Sequence, residues 1–208
     1  MMSAPVRRLP SADRQFSPSS KQKEKTMSRI NLVDPVSATG PSAELLGEIR
    51  SAFGVAPNMF RAVANSPAAL ASMWGSFGAL GNGRLGAKLG EQIAVAVADR
   101  NDCHYCLAAH TALGRKAGAT AEEMTAAQRG KSADPKTAAA LAFVQKLVDA
   151  RGQVSDADVR SLREAGYDDE DVVEIVAHVA LNLFTNYINV ALAVPVDFPG
   201  VKLVREAA

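Results

Sequence analysis

Helix start and stop signals recur along the sequence from residue 40 onward, and they constrain the fold more than any other feature. Ser66–Pro67 and Asp134–Pro135 each place a capping side chain before a proline, a combination typical of helix N-termini. Thr120 and Glu123 have the spacing of a capping box, and Gly118 follows the helical segment before them. No segment has the pattern of a convincing strand. The sequence therefore predicts an all-α fold, a compact domain of several helices.

The composition agrees with closely packed helices and excludes some classes of partner. Hydrophobic residues make up 48% of the 208-residue chain and aromatic residues only 5%, with alanine recurring throughout. Alanine loses no side-chain entropy in a helix, so it suits tightly packed helices. The formal net charge is +1, too small to attract nucleic acid or an anionic membrane over a distance, and we expect neither as a partner.

The first 29 residues differ from the rest of the chain. They carry seven basic residues against two acidic ones and are rich in Ser, Pro, Lys and Gln. We predict that residues 1–29 form a disordered basic tail and that residues 30–208 form a single helical domain. Met27 is an alternative start, in which case the first 26 residues are not translated. The tail has no apolar run long enough for the core of a signal peptide, so we expect a cytoplasmic protein.

Two apolar segments need an argument before they are assigned. Ile93–Val97 alternates with alanine as a strand does, but the length of the segment and its alanines favour a buried helix. Ile175–Val196 has no charged residue and is long enough to suggest a membrane span. Four polar residues on one helix face would be costly in lipid, so we predict a helix buried in the protein. This stripe is expected to be a packing face or, alternatively, one wall of a substrate pocket: His178, Asn182, Asn186 and Asn189.

The segment DRNDCHYCLAAH, residues 99–110, contains the only two cysteines of the chain, Cys103 and Cys106. If Asp102 caps the next helix, both thiols lie in its opening turns, with Cβ atoms ~5–6 Å apart and near disulfide range. A helix N-terminus and an imidazole both lower the pKa of a thiol, and His110 lies one turn after Cys106. We therefore predict a dithiol site that cycles through a disulfide. The residues alone do not choose the attacking sulfur, because Cys103 is nearer the helix start and Cys106 nearer His110.

Glu91 precedes Cys103 by twelve residues, on the helix before the cysteines. If the two helices form a hairpin, its carboxylate returns over the thiols as part of a proton relay. Two alternatives remain open for the cysteines. They are ordinary buried small residues, or they bind zinc together with His110, with Glu91 or His178 as the fourth ligand.

The spacing Glu91-x11-Cys103-x-x-Cys106-x-x-x-His110 resembles the signature of the alkylhydroperoxidase D-like (peroxidase-related) branch of the carboxymuconolactone decarboxylase family. The segment GVAPNMFRAVANSPAAL, residues 54–70, is similar to the one that precedes that core, and the likeness covers most of residues 50–195. The resemblance implies an all-helical domain in which a helical hairpin carries the Cys-x-x-Cys site. It also implies assembly into homo-oligomers, trimers or hexamers, and a thiol peroxidase that uses no cofactor and no metal.

The resemblance further implies a role for each site residue. Cys106 attacks a hydroperoxide and becomes the sulfenic acid. Cys103 supplies a proton and then resolves the intermediate as a disulfide with Cys106, while Glu91 and His110 form the proton relay. The implied partners are an organic hydroperoxide or hydrogen peroxide and a dithiol or thiol-protein reductant. The alternatives are a protein disulfide reductant or redox relay, and a non-catalytic oligomeric scaffold with zinc or idle thiols.

One position departs from the family pattern. The well-studied hydroperoxidases have a histidine immediately before the second cysteine, where this sequence has Tyr105, and His104 lies one residue earlier. One residue rotates a helical side chain by about 100°, so His104 does not simply replace it, and a phenol with a pKa of about 10 is a poor base. Both residues are kept as further site candidates, and we expect slower peroxide reduction or a different substrate. Trp74, Phe77 and Met73 are expected in the core or in an interface.

Overall fold

The computed structural model describes residues 27–204, which form nine α-helices and no β-strand. The all-α prediction is confirmed for this part of the chain, and residues 1–26 of the predicted tail lie outside the described residues. Ser28 and Arg29 already contact the end of the last helix, where the Arg29 N–H donates to Leu192 O at 2.8 Å. The helices are α1 Gly40–Phe53, α2 Asn58–Val63, α3 Pro67–Gly81, α4 Gly86–Arg100, α5 His104–Lys116, α6 Ala121–Gln128, α7 Pro135–Asp149, α8 Asp156–Glu164 and α9 Asp169–Ala191.

Side chains cap several helices at the predicted signals. Ser66 Oγ accepts a backbone N–H of the first turn of α3, and Asp134 Oδ2 does the same for α7 at 2.8 Å. Thr120 and Glu123 form the capping box that begins α6. Each cap satisfies an N–H group that the first helical turn leaves without a partner. The predicted starts of these three helices are therefore confirmed.

α4 lies at the centre of the molecule and packs against α5, α6, α7 and α9. Every residue of Gln92–Ala98 is buried, and Ile93, Val95 and Val97 have no exposed surface. A helix surrounded by other helices is apolar on all sides, which explains why its sequence alternates like that of a strand. The prediction of a buried helix is confirmed.

α4 and α5 form the predicted helical hairpin, and a missing side chain lets them approach closely. The hairpin turns at residues 101–103, where the Cys103 N–H donates to Ala98 O at 2.9 Å. A Cβ placed on Gly114 of α5 would lie 3.3 Å from the Cβ of Glu91 in α4 and 2.5 Å from the sulfur of Met124 in α6. Gly114 therefore sets how near Glu91 lies to the helix of the cysteines.

α9, which has no charged residue from Ile175 onward, packs against α3, α4 and α5. Ile175 and Val179 on this helix are buried, and so are the asparagines at 182, 186 and 189. Burial in the protein agrees with the expectation from sequence. Within residues 27–204, no helix combines the length and the apolar character that crossing a bilayer requires.

We predict that Gly114→Val destabilises the protein by about 1–3 kcal/mol, because overpacking a tight helix contact forces neighbouring side chains off their rotamers. Urea unfolding followed by circular dichroism measures the change. Gly47→Val is the matched control: Gly47 is an exposed glycine in α1 whose added Cβ would meet no neighbour within 4 Å. Equal unfolding midpoints for the two variants would contradict the packing role of Gly114.

Candidate active site

The two cysteines lie at the start of α5, and one of them caps the helix. Cys103 is the N-cap residue, and its sulfur accepts the backbone N–H of Cys106 at 3.2 Å. The predicted cap, Asp102, is wrong, because Asp102 takes a left-handed conformation with φ of 53° in the hairpin turn. Cys103 follows that turn and therefore occupies the capping position. Both cysteines are free thiols and both are buried.

Cys106 lies in the first turn of α5, where polar groups surround its sulfur. The side-chain amide of Asn189 in α9 donates a hydrogen bond to Cys106 Sγ at 3.1 Å. Burial alone would raise the pKa of the Cys106 thiol. Four neighbours outweigh burial and bring this pKa down to about 7: the Cys103 thiol, the imidazole of His110 and the amides of Asn189 and Asn186.

The pKa of the Cys103 thiol is raised, in the opposite direction from that of Cys106. The main cause is the hydrogen bond between the two side chains, and burial adds to it. Since a donor must keep its proton, Cys103 is the thiol of the pair and Cys106 the thiolate. The helix start thus holds one protonated and one readily ionised sulfur.

Glu91 and His110 form a close ion pair beside the cysteines. Glu91 Oε2 in α4 lies 2.7 Å from His110 Nδ1 in α5, and both side chains are largely buried. Burial lowers the pKa of His110, but the charge of the Glu91 carboxylate and its hydrogen bond raise it more, and the net shift is upward. The hairpin therefore brings together the four residues that the sequence singled out: Glu91, Cys103, Cys106 and His110.

A cavity of about 320 Å³ opens next to Cys106, and we call it the aromatic cavity. Besides Cys106, Glu91 and His110, it is lined mainly by aromatic side chains from α1 to α3, α5 and the C-terminal segment: Phe53, Phe60, Trp74, Phe77, Tyr105 and Phe198. Phe60 packs edge-on against Trp74, with ring centroids 5.8 Å apart. Trp74 and Phe77 pack against the hydrophobic core, as expected, and they also line this cavity. Met73 is fully buried in the core, as expected.

A second cavity, of about 470 Å³, reaches the other cysteine, and we call it the Cys103 cavity. Its walls come from the hairpin turn, the end of α9 and the segment after α9, and they include Asp102, Cys103, His104, Asn189, Val190 and Val196. Tyr105 lines both cavities. Cys106 therefore lines the aromatic cavity, and Cys103 lines the Cys103 cavity.

Tyr105 and His104, the two further candidates, occupy different positions. The hydroxyl of Tyr105 accepts the backbone N–H of Met59 at 3.2 Å, and its ring packs edge-on against Phe198. Burial raises the pKa of Tyr105, so its hydroxyl stays protonated at neutral pH. His104 is exposed at the start of α5 and lines the Cys103 cavity. Neither side chain joins the Glu91–His110 pair.

The polar stripe of α9 divides between two roles. Asn182 donates to the backbone oxygen of His178 within its own helix, and His178 lies 3.9 Å from Glu174. Asn186 accepts a hydrogen bond from Asn101 at 3.0 Å, and Asn189 contacts the sulfur of Cys106. Sequence reasoning missed the contact of this helix with the thiolate, although asparagines repeated on one face of an uncharged helix were a signal for it. Within residues 27–204, no group of three or more His, Cys, Asp or Glu side chains is arranged to hold a metal ion.

Comparison with known proteins supports the resemblance seen in the sequence. The sequence profile of the carboxymuconolactone decarboxylase family matches residues 67–149, a span that contains Glu91, both cysteines and His110. An uncharacterized peroxidase-related protein from Ralstonia eutropha JMP134, an alkylhydroperoxidase AhpD core, is 27% identical with a TM-score of 0.74, covering 82% of this chain and 93% of its own. A peroxidase-related protein from Silicibacter sp. TM1040 is 25% identical with a TM-score of 0.71, covering 88% and 95%.

A more distant structure shares the fold alone. The debrominase Bmp8 in complex with 2,3,4-tribromopyrrole is 20% identical with a TM-score of 0.68, covering 82% of this chain and 94% of its own. No curated protein is significantly similar to the chain in sequence. The family profile and the two peroxidase-related structures support the resemblance of this chain to the carboxymuconolactone decarboxylase family. Its fold is that of the AhpD-like, peroxidase-related proteins.

We predict that Asn189→Leu raises the pKa of Cys106 by about one unit, because the thiolate loses a hydrogen-bond donor in a buried site. Ultraviolet absorbance of the thiolate, followed against pH, measures this pKa. Ionisation is half complete near pH 7 in the wild type, so the variant holds several-fold less thiolate at that pH. Asn182→Leu is the control, because Asn182 is buried on the same helix but bonds to its own backbone. An unchanged titration of Asn189→Leu would contradict the role of this amide.

Proposed function

We propose that this protein is a thiol peroxidase that reduces hydroperoxides through a dithiol–disulfide cycle of Cys103 and Cys106. The observation that carries the proposal is the asymmetry of the pair. Cys106, with a pKa of about 7, opens onto the aromatic cavity beside the Glu91–His110 ion pair, and Cys103 keeps its proton. A low-pKa thiolate next to a positioned acid is the arrangement that thiol-based catalysis requires.

The chemistry begins with the Cys106 thiolate. It attacks the terminal oxygen of the hydroperoxide, the O–O bond breaks, and Cys106 becomes a sulfenic acid while the alkoxide takes the proton of Cys103. The Cys103 thiolate then attacks the Cys106 sulfur, a disulfide forms, and hydroxide leaves. Hydroxide takes a proton from His110, whose Nδ1 is held by Glu91. One hydroperoxide and two thiols thus give one alcohol, one water and one disulfide.

The aromatic cavity favours an organic hydroperoxide over hydrogen peroxide. Its walls are mostly apolar, and Cys106, Glu91 and His110 place polar atoms at one side. An apolar group of the substrate gains free energy by leaving water for such a cavity, whereas hydrogen peroxide has no apolar group to bury. The neutral hydroxyl of Tyr105 is bound to the backbone and takes no part as a base in this scheme.

A protein disulfide fits the site less well as the natural substrate. Cys103 and Cys106 are each only 1% exposed, and a sulfur on the surface of a folded protein does not reach them without rearrangement. Thiols that stay reduced between cycles require a reducing compartment, so we place the activity in the cytoplasm. A dithiol reductant returns the disulfide to the starting state.

We predict that reduced protein mixed with an equimolar amount of cumene hydroperoxide loses both free thiols and consumes the peroxide. Thiol titration and peroxide assay measure the two changes. Cys106→Ser abolishes peroxide consumption, because the attacking sulfur is gone. Cys103→Ser leaves a sulfenic acid that dimedone traps, formed more slowly because its proton donor is missing. Survival of both thiols with the peroxide intact would contradict the proposal.

A parallel reaction with 2,3,4-tribromopyrrole separates this proposal from a second candidate. The debrominase that shares the fold binds this compound, and the aromatic cavity beside Cys106 has walls suited to a planar halogenated ring. Removal of bromine from carbon also consumes two electrons, which two thiols supply. We expect peroxide consumption without release of bromide. If the protein releases bromide from 2,3,4-tribromopyrrole and leaves the hydroperoxide intact, the peroxidase proposal is wrong and the protein is a reductive debrominase.

Assembly into a homo-oligomer, which the family resemblance implies, stays a prediction. Apolar side chains at helical spacing are exposed along α9 and offer a surface for a second copy: Val173, Val176, Tyr187 and Val190. We expect light scattering to give the mass of a trimer or hexamer and the double change Val173→Glu, Tyr187→Glu to lower that mass. Val55→Glu, at an exposed valine outside α9, is the control. A monomeric wild type would contradict the prediction.

A further inference from the structure

The two cysteines of the site line different cavities. Cys106 is one of the residues that line the aromatic cavity, and Cys103 is one of those that line the Cys103 cavity. Tyr105 lines both. We therefore expect a reagent in one cavity to meet one cysteine first.

The chemistry of disulfide exchange also distinguishes the two sulfurs, and it favours attack of the reductant on Cys103. When a thiolate attacks a disulfide, the sulfur that leaves most readily is the one whose thiol has the lower pKa. Cys106 is that sulfur, because Asn189 and the neighbouring charge stabilise its thiolate. Attack at Cys103 therefore expels the better leaving group.

We propose that a small dithiol reductant enters through the Cys103 cavity and attacks the sulfur of Cys103, while the hydroperoxide enters through the aromatic cavity and meets Cys106. This assignment rests on the proposed function. A small reductant is favoured because Cys103 is only 1% exposed and lines a cavity of about 470 Å³. A cavity of that size has room for a small dithiol.

The reduction step balances without any further reactant. One thiolate of the dithiol attacks Cys103 Sγ, the Cys103–Cys106 bond breaks, and the Cys106 thiolate leaves to its hydrogen bond with Asn189. The second thiol of the reductant then attacks its own sulfur in the mixed disulfide, and Cys103 leaves and takes a proton. The reductant is oxidised to a disulfide, and the enzyme regains the protonation pattern from which it attacks peroxide.

Trapping the mixed disulfide tests which sulfur is attacked. The protein is oxidised with diamide, treated briefly with β-mercaptoethanol and then with iodoacetamide, and the tryptic peptide of residues 101–115 is fragmented in a mass spectrometer. We expect the mercaptoethanol adduct on Cys103 and the alkyl group on Cys106. The reverse pattern, or a failure of diamide to form the disulfide, overturns the proposal.

Narrowing each cavity separately tests the two routes. Val196→Trp fills the mouth of the Cys103 cavity, and we expect it to slow reduction by dithiothreitol about tenfold relative to oxidation by cumene hydroperoxide. The leucine of Gly78→Leu projects into the aromatic cavity, and we expect this variant to slow oxidation by cumene hydroperoxide relative to reduction by dithiothreitol. The matched controls are Val36→Trp, at an exposed valine in a turn, and Gly75→Leu, one helical turn from Gly78. Equal slowing of both reactions by either cavity variant means one shared route and overturns the proposal.

Two further outcomes separate this proposal from the proposed function. Diamide forms the disulfide without any peroxide, so the reduction step can be tested independently of peroxidase activity. If the adduct is on Cys103 but the protein consumes no peroxide, only the peroxidase proposal is contradicted. If the protein consumes peroxide but the adduct is on Cys106, only the proposal of separate routes for reductant and hydroperoxide is contradicted. Reduction by thioredoxin, a folded thiol protein, faster than by dithiothreitol would show that the reductant is not a small dithiol.

Discussion

The hydrogen bond from the backbone N–H of Cys106 to the sulfur of Cys103 connects the fold of this protein to its chemistry. It begins α5, because it satisfies an N–H group of the first helical turn. It also places the two sulfurs within one turn, with Cys103 at the N-cap position of α5 and Cys106 in its first turn. Cys103 in turn keeps the proton that stabilises an ionised Cys106. The capping contact itself favours an ionised Cys103, but the hydrogen bond between the two side chains and burial outweigh it, so Cys103 keeps its proton.

Holding an ionised sulfur in the interior is costly unless polar groups replace the lost water. Asn189 provides a donor at 3.1 Å, and His110 provides positive charge that Glu91 keeps in place. These groups come from α9, α5 and α4, so the low pKa of Cys106 requires three helices packed together. The absence of a side chain at Gly114 permits that packing. The low pKa of Cys106 is a property of the assembled core and not of the Cys-x-x-Cys segment alone.

Signals in the sequence predicted most of the helices and the four residues Glu91, Cys103, Cys106 and His110, but not the contact of Asn189 or the aromatic cavity. Cys103, Cys106 and His110 lie in one short segment, so their spacing was sufficient to place them together. The Asn189 contact joins residues 83 positions apart, and no local pattern encodes such a pairing. The aromatic cavity was missed for the same reason, since helices and loops distant in sequence meet to form it. Asp102 was predicted as the cap because aspartate is a strong capping residue, but the hairpin turn required its left-handed conformation.

Tyr105, the residue that departs from the family pattern, gains a structural explanation from the two cavities. Its hydroxyl reaches across to the backbone of Met59, and its ring packs against Phe198 with centroids 5.7 Å apart. Asp197, next to Phe198, accepts the N–H of Asn58 at 2.7 Å and ties the C-terminal segment to the same region. Tyrosine thereby joins three segments and lines both the aromatic cavity and the Cys103 cavity. A histidine side chain at this position would be too short to make both the contact with Met59 and the contact with Phe198, so tyrosine here connects the helix of the cysteines to two other segments.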